Sequence, residues 1–290
     1  MRFCGSAVSV VINFEQRLID ERQNARSVPD DVFCFARSDV WKPVLWNILG
    51  DFLTQSVKEE FVRNPPKYVV SDDLSWLDEI IMETSDNFVA IKELTANRIA
   101  RHYRAFRAAH GTRTDNLTSF YHRGLRRLRS GEIEDIARKL LINASFPYAN
   151  EKSLMNAIDE LDAKGPGCRD GFLYFCADEH ELIDQASHYL IYGSEYLYCI
   201  AMRVIGTWNA QRLLKSIGEP TMIVCDLPFE FLSQDQREDF AGMCLEIMFT
   251  ELLGETDEYG HGSAVMLSCD VSSDCIVGHY HPSKIRDPFL

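Results

Sequence analysis

No uninterrupted apolar run in this sequence is long enough to span a bilayer, and the most apolar start, Met1 to Ile12, breaks off at Asn13. That start imitates a short secretory core but reads as a buried strand, so no membrane attachment is expected. Net positive charge is missing too. The 290 residues sum to −14 at pH 7, which excludes bulk attraction to nucleic acid or to an anionic membrane. The glycines of the turn-rich stretch 164–171 are too irregular for a dinucleotide fingerprint, so a Rossmann architecture is unsupported. A disulfide framework is equally unsupported: the nine cysteines are odd in number and scattered, and Cys34, Cys199, Cys225 and Cys244 sit in apolar surroundings. Such usage points to reduced thiols in a cytoplasm. Cys269, Cys275, His279 and His281 crowd one terminal segment, but their spacing is not that of a compact zinc turn. Packing is the preferred reading there, and no metal is expected.

The ordinary apolar and charged fractions describe a globular chain long enough for one large or two small domains. Residues 1–97 read as a mainly helical region. From Val32 to Phe61 an apolar face runs at helical spacing with Gly50 as a kink, and a second helical stretch starts near Ser71 beneath an acidic surface. From 98 to 290 the pattern is mixed. Helices are expected over Glu132–Leu141, Lys152–Leu161, much of Glu179–Val204, Trp208–Ile217 and Gln234–Leu253. Strands are expected over Gly171–Asp178, Glu219–Pro228, Ser263–Asp270 and Asp274–Tyr280, with Pro228 ending its strand. Short strands interleaved with helices define an α+β fold.

Chemistry is concentrated in one stretch. Tyr103 to Ala108 alternates like a strand, His110-Gly111-Thr112-Arg113 follows as a short glycine turn, and Thr114 or Asp115 is placed to cap a helix. Within that helix Leu117, Phe120 and Tyr121 recur on one face, and Gly124 falls where a left-handed cap is expected. His110 would then stand at a strand end beside a helix N-terminus, whose free N–H groups favour anions. Downstream, Gly171-Phe172-Leu173-Tyr174-Phe175-Cys176-Ala177-Asp178 precedes a helix with Ser187-His188-Tyr189.

This arrangement resembles the signature of the poly(ADP-ribose) polymerase branch of the ADP-ribosyltransferases, closely over Ala109 to Arg126 and loosely afterwards. The resemblance implies a split, mostly antiparallel sheet flanked by helices, here with an added N-terminal helical region, and NAD as co-substrate without a metal. It implies that His110 and Thr112 hold a ribose, that Gly111 backbone groups pair with the carboxamide, and that Tyr174, Ser187 and Tyr189 build the nicotinamide pocket. His110 and Tyr174 are the candidate catalytic positions. Arg113 either binds a phosphate or supports the turn from behind. Two departures from the family pattern stand out: one extra residue precedes Tyr174, and Ser187 is separated from Tyr189 by one residue rather than two. The late-strand glutamate of polymerizing members aligns with Ala264 or its neighbour; Glu258, His261 and Asp270 are candidate substitutes. By resemblance its loss implies single ADP-ribose transfer, or a non-enzymatic module that binds NAD or ADP-ribose.

Against the acidic whole, Arg98, Arg101, Arg104, Arg107, Arg113, Arg123, Arg126, Arg127 and Arg129 form a basic island opposed only by Asp115. Two readings compete: a grip on phosphates, or a solvated face paired with acids elsewhere in the fold. On the first, Arg123, Arg126 and Arg127 bind a macromolecular acceptor, with nucleic acid, RNA slightly ahead of DNA, placed a little before a protein side chain. Small free-standing members of the family imply a toxin or antiviral effector held in check by an inhibitory partner protein.

Overall fold

The computed structural model describes residues 19–24, 27–143, 146–163, 170–255 and 262–287. In chain order these form β1 (Val32–Phe33), α1 (Ser38–Ile48), α2 (Gln55–Arg63), α3 (Ser75–Ser85), α4 (Ile91–His102) and β2 (Ala105–Thr114). Then come α5 (Leu117–Arg123), α6 (Ser130–Asn143), α7 (Glu151–Asp162), β3 (Leu173–Cys176), α8 (Glu179–Asp184), α9 (His188–Tyr192), α10 (Glu195–Ile205) and α11 (Thr207–Lys215). The last elements are β4 (Glu219–Pro228), α12 (Gln234–Leu252), β5 (Ala264–Leu267) and β6 (Ile276–Tyr280). The fold is α+β, with a six-stranded, mostly antiparallel sheet flanked by helices and a helical N-terminal region. Among the described residues, no helix is long and apolar enough to cross a membrane. The expected strand at Met1–Ile12 lies outside the described residues.

Contacts divide the chain into two compact units, one built from the described residues of 1–27, 108–226 and 266–290, the other from 28–107 and 227–265. The strands run in the order β5-β3-β2-β4-β6, which sets β2 at the centre. β3 pairs antiparallel with β2, Ala109 opposite Cys176, and β6 pairs antiparallel with β4. A helical core of Ala137, Leu141, Leu154, Ile158, Ile200 and Ala201 joins α6, α7 and α10. A smaller cluster on the sheet unites Ala109, Cys176, Leu190, Met222 and Val224. Burial of the larger aliphatic side chains among these contributes about 1.5–3 kcal/mol each.

The second unit is organised by aromatic rings. Phe33 meets Phe240 edge to face at 4.9 Å and Tyr103 at 5.4 Å, while Phe61, Trp76 and Phe249 form a triad with centroids 4.9–5.3 Å apart. α12 starts at a capping box between Ser233 and Gln236. The long helix expected from Val32 to Phe61 is two helices: α1 stops at Ile48, and α2 begins anew where Thr54 accepts a bond from the Val57 N–H. Gly50 lies in the break rather than inside a kinked helix.

A correction concerns β2. Strand pairing carries it through Gly111 to Thr114, so His110-Gly111-Thr112-Arg113 is extended strand and not a turn. α5 is capped by Asn116, whose side chain accepts from the Ser119 N–H, rather than by Thr114 or Asp115. His110 therefore stands inside a central strand, six residues ahead of that cap. Gly124 does end α5 with a positive φ of 73°. The Leu125–Val271 bridge brings Val271 so close that a Cβ on Gly124 would lie 2.0 Å from its carbonyl oxygen. Gly124→Ala is expected to lose about 3 kcal/mol or more, read as a lowered midpoint in urea unfolding, since both the backbone conformation and the space require glycine.

Candidate functional site

β2 and β3 bring the two sequence motifs together. The register that sets Ala109 against Cys176 places His110 beside Tyr174 and Phe175: its Nδ1 lies 2.8 Å from the Tyr174 carbonyl oxygen, and its ring centroid is 5.6 Å from that of Phe175. A carbonyl can only accept, so Nδ1 carries the proton and donates it, leaving the Nε2 lone pair as an acceptor. Burial holds the His110 imidazole below the ordinary value of 6.5, an effect partly opposed by the bond to Tyr174. The ring is thus a fixed, neutral hydrogen-bond acceptor at pH 7.

Next along the strand, Gly111 is buried, and a Cβ there would touch Leu182 and Leu190 at 3.4 Å. Leu190 belongs to α9, so that short helix lies close against the strand at this glycine. Thr112 is half-buried. Arg113 turns its guanidinium to main-chain carbonyls: Nε donates to Ile217 at 2.9 Å, Nη2 to Lys215 and Gly218 at 2.8 Å, and Nη1 to Leu190 at 3.3 Å. Of its two sequence readings, the supporting one describes these bonds: Arg113 ties α9 and the end of α11 to the strand.

α9 carries the remaining candidates. Ser187 is fully buried, and its hydroxyl has no hydrogen-bond partner among the described residues. A buried hydroxyl left without a partner is costly. Tyr189 is half-buried against the sheet cluster, with its hydroxyl 3.5 Å from a Glu195 oxygen. The same oxygen lies 3.4 Å from His188 Nε2. Glu195 belongs to no sequence motif; its only mark is that of an acid in the first turn of a helix that follows Ser194.

The basic island is largely paired. Arg98 engages Asp51 and Arg104 engages Asp31 in one unit. In the other, Arg126 and Arg129 share Glu132, and Arg127 reaches Asp270 and the Ser268 carbonyl. The Arg127 backbone N–H and side chain hold the Asp270 carboxyl below its ordinary range. Arg123 is exposed in the last turn of α5. Ala264, aligned with the family glutamate, is the exposed first residue of β5. Asp270 is committed to Arg127, while Glu258 and His261 lie outside the described residues.

The terminal cluster disperses. Buried His279 meets the Tyr121 hydroxyl at 2.8 Å, and His281 faces Thr221 at 3.2 Å. Among the described residues, no three His, Cys, Asp or Glu side chains gather around a common metal position. Comparison with protein-family models, with curated proteins and with solved structures returns no match to this chain.

Two expectations follow. Arg113→Met removes the donors of four carbonyls and should destabilise the protein by about 2–4 kcal/mol in chemical denaturation. Burial lowers both His110 and His279, so the unfolded chain binds protons that the native state refuses. The stability held by these neutral rings is present above about pH 6.5 and is lost as pH falls through their lowered values. Thermal midpoints should drop as the pH falls below about 6.5, and less steeply in His279→Gln, which keeps an acceptor for Tyr121 but does not titrate.

Proposed function

We propose that this chain is an NAD-dependent mono-ADP-ribosyltransferase of a reduced cytoplasm, acting on a macromolecular acceptor, nucleic acid ahead of protein. The observation that carries the reading is the meeting of the two motifs at β2: His110 donates from Nδ1 to the Tyr174 carbonyl, while Leu190 and Tyr189 of α9 pack against the sheet cluster that holds Ala109 and Cys176. These groups fit NAD as a co-substrate. His110 Nε2 accepts from a ribose hydroxyl, the Ser187 hydroxyl meets the carboxamide, and Tyr189 with Tyr174 walls the nicotinamide ring. Departure of nicotinamide leaves an oxocarbenium-like sugar, so the work asked of the protein is positioning and electrostatic stabilisation. The neutral, half-buried His110 suits holding rather than proton transfer.

By the resemblance, Ala264 aligns with the late-strand glutamate of polymerizing members, and an alanine there supports single transfer over chain growth. The same residue favours a second reading, a module that binds NAD or ADP-ribose without turnover. For the acceptor, Arg126 and Arg127 hold exposed ion pairs worth little in water, which a phosphate can displace.

Incubation with labelled NAD and purified RNA or protein separates these readings. Label transferred to RNA is the expected result, label on protein shifts the acceptor class, and NAD binding without transfer selects the module. His110→Ala should reduce transfer about 100-fold through lost positioning, and an unimpaired variant would reject the site. Joint Arg123→Glu, Arg126→Glu and Arg127→Glu substitution should weaken acceptor labelling about tenfold while sparing NAD binding; equal loss of both would remove the acceptor role.

A further inference from the structure

We infer that Glu195 is a positioning residue for the nicotinamide wall, acting through Tyr189. The inference rests on the proposed NAD reading of Tyr189 and extends it to a residue outside the family motif. One carboxylate oxygen of Glu195 accepts from the Tyr189 hydroxyl at 3.5 Å and lies 3.4 Å from His188 Nε2, which makes no hydrogen bond among the described residues. The two rings lie against each other with centroids 4.2 Å apart and planes 37° from parallel. His188 and Glu195 side chains each keep 28% exposure, so the cluster is neither sealed in the core nor loose at the surface.

Its geometry is built by the backbone. Gly193, with φ of 84°, ends α9, and the Ser194 side chain caps α10 by accepting from the Leu197 N–H. This reversal brings the first turn of α10 back to the rings of α9. On the opposite side, Leu190 lies against the Gly111 position and the Leu190 carbonyl accepts from Arg113. α9 is therefore held between the strand and Glu195, and a stacking tyrosine held in advance gives up less freedom when a ligand arrives. The contacts to Glu195 are long, of the kind that tighten when a ligand seats.

The test is calorimetric titration of the full chain with NAD, nicotinamide and ADP-ribose. Glu195→Ala should weaken NAD and nicotinamide about three- to tenfold and leave ADP-ribose within about twofold, because only the nicotinamide half rests on Tyr189. Glu195→Gln retains an acceptor oxygen and should stay within about twofold of the parent for all three ligands. Unchanged ADP-ribose binding also reports a folded site. Equal weakening of ADP-ribose and nicotinamide, unaltered nicotinamide and NAD binding in Glu195→Ala, or a Glu195→Gln variant as impaired as the alanine, would each overturn the assignment. If the parent chain binds NAD normally, such a result removes Glu195 alone. If the parent binds neither NAD nor ADP-ribose, the NAD reading itself falls, and this inference with it.

Discussion

The hydrogen bond from His110 Nδ1 to the Tyr174 carbonyl is the constraint on which the candidate site depends. It forms because β3 pairs antiparallel with the central strand, and the register is specified where one face is buried: a slip by one residue would turn every side chain to the opposite face. Ala109 and Cys176 on that face belong to the apolar sheet cluster. Packing energy thus fixes the orientation of an imidazole, and the orientation fixes which nitrogen keeps its lone pair. Burial lowers the ring's proton affinity, so one geometric fact determines tautomer, charge and direction.

Around this bond the fold converts ordinary backbone needs into support. Arg113 satisfies carbonyls at the end of α11 and beyond it, as well as one in α9. A residue that a motif reading would assign to a phosphate is thereby occupied with holding helices to the strand. The other arginines follow a related pattern: a sequence run with a single acid among them becomes, in three dimensions, a set of exposed pairs with Asp31, Asp51, Glu132 and Asp270. Charge that looks concentrated along the chain is thus balanced locally in space, consistent with a net charge of −14.

Much of this was legible in the residues. The strand ended by Pro228, the helices over α6, α7 and α12, and the positive φ of Gly124 follow from periodicity, turn chemistry and capping. The extension of β2 through Gly111 was not legible, because glycine among polar residues signals a turn, whereas here the strand continues through it and Leu182 and Leu190 cover it. Asn116 displaced Thr114 as the cap for the same reason: strand pairing consumed the earlier residues. The break between α1 and α2 was hidden because the apolar spacing persists across it. Glu195 and the partners of the arginines were invisible, since long-range contacts between charged side chains leave no periodic trace.

The most direct test of the whole account is a crystal structure of the chain with a non-hydrolysable NAD analogue. The account predicts a ribose hydroxyl within hydrogen-bond distance of His110 Nε2, with the nicotinamide group between Tyr174 and Tyr189 and its carboxamide at Ser187. An analogue bound away from β2, or a ribose that leaves His110 Nε2 untouched, would contradict it.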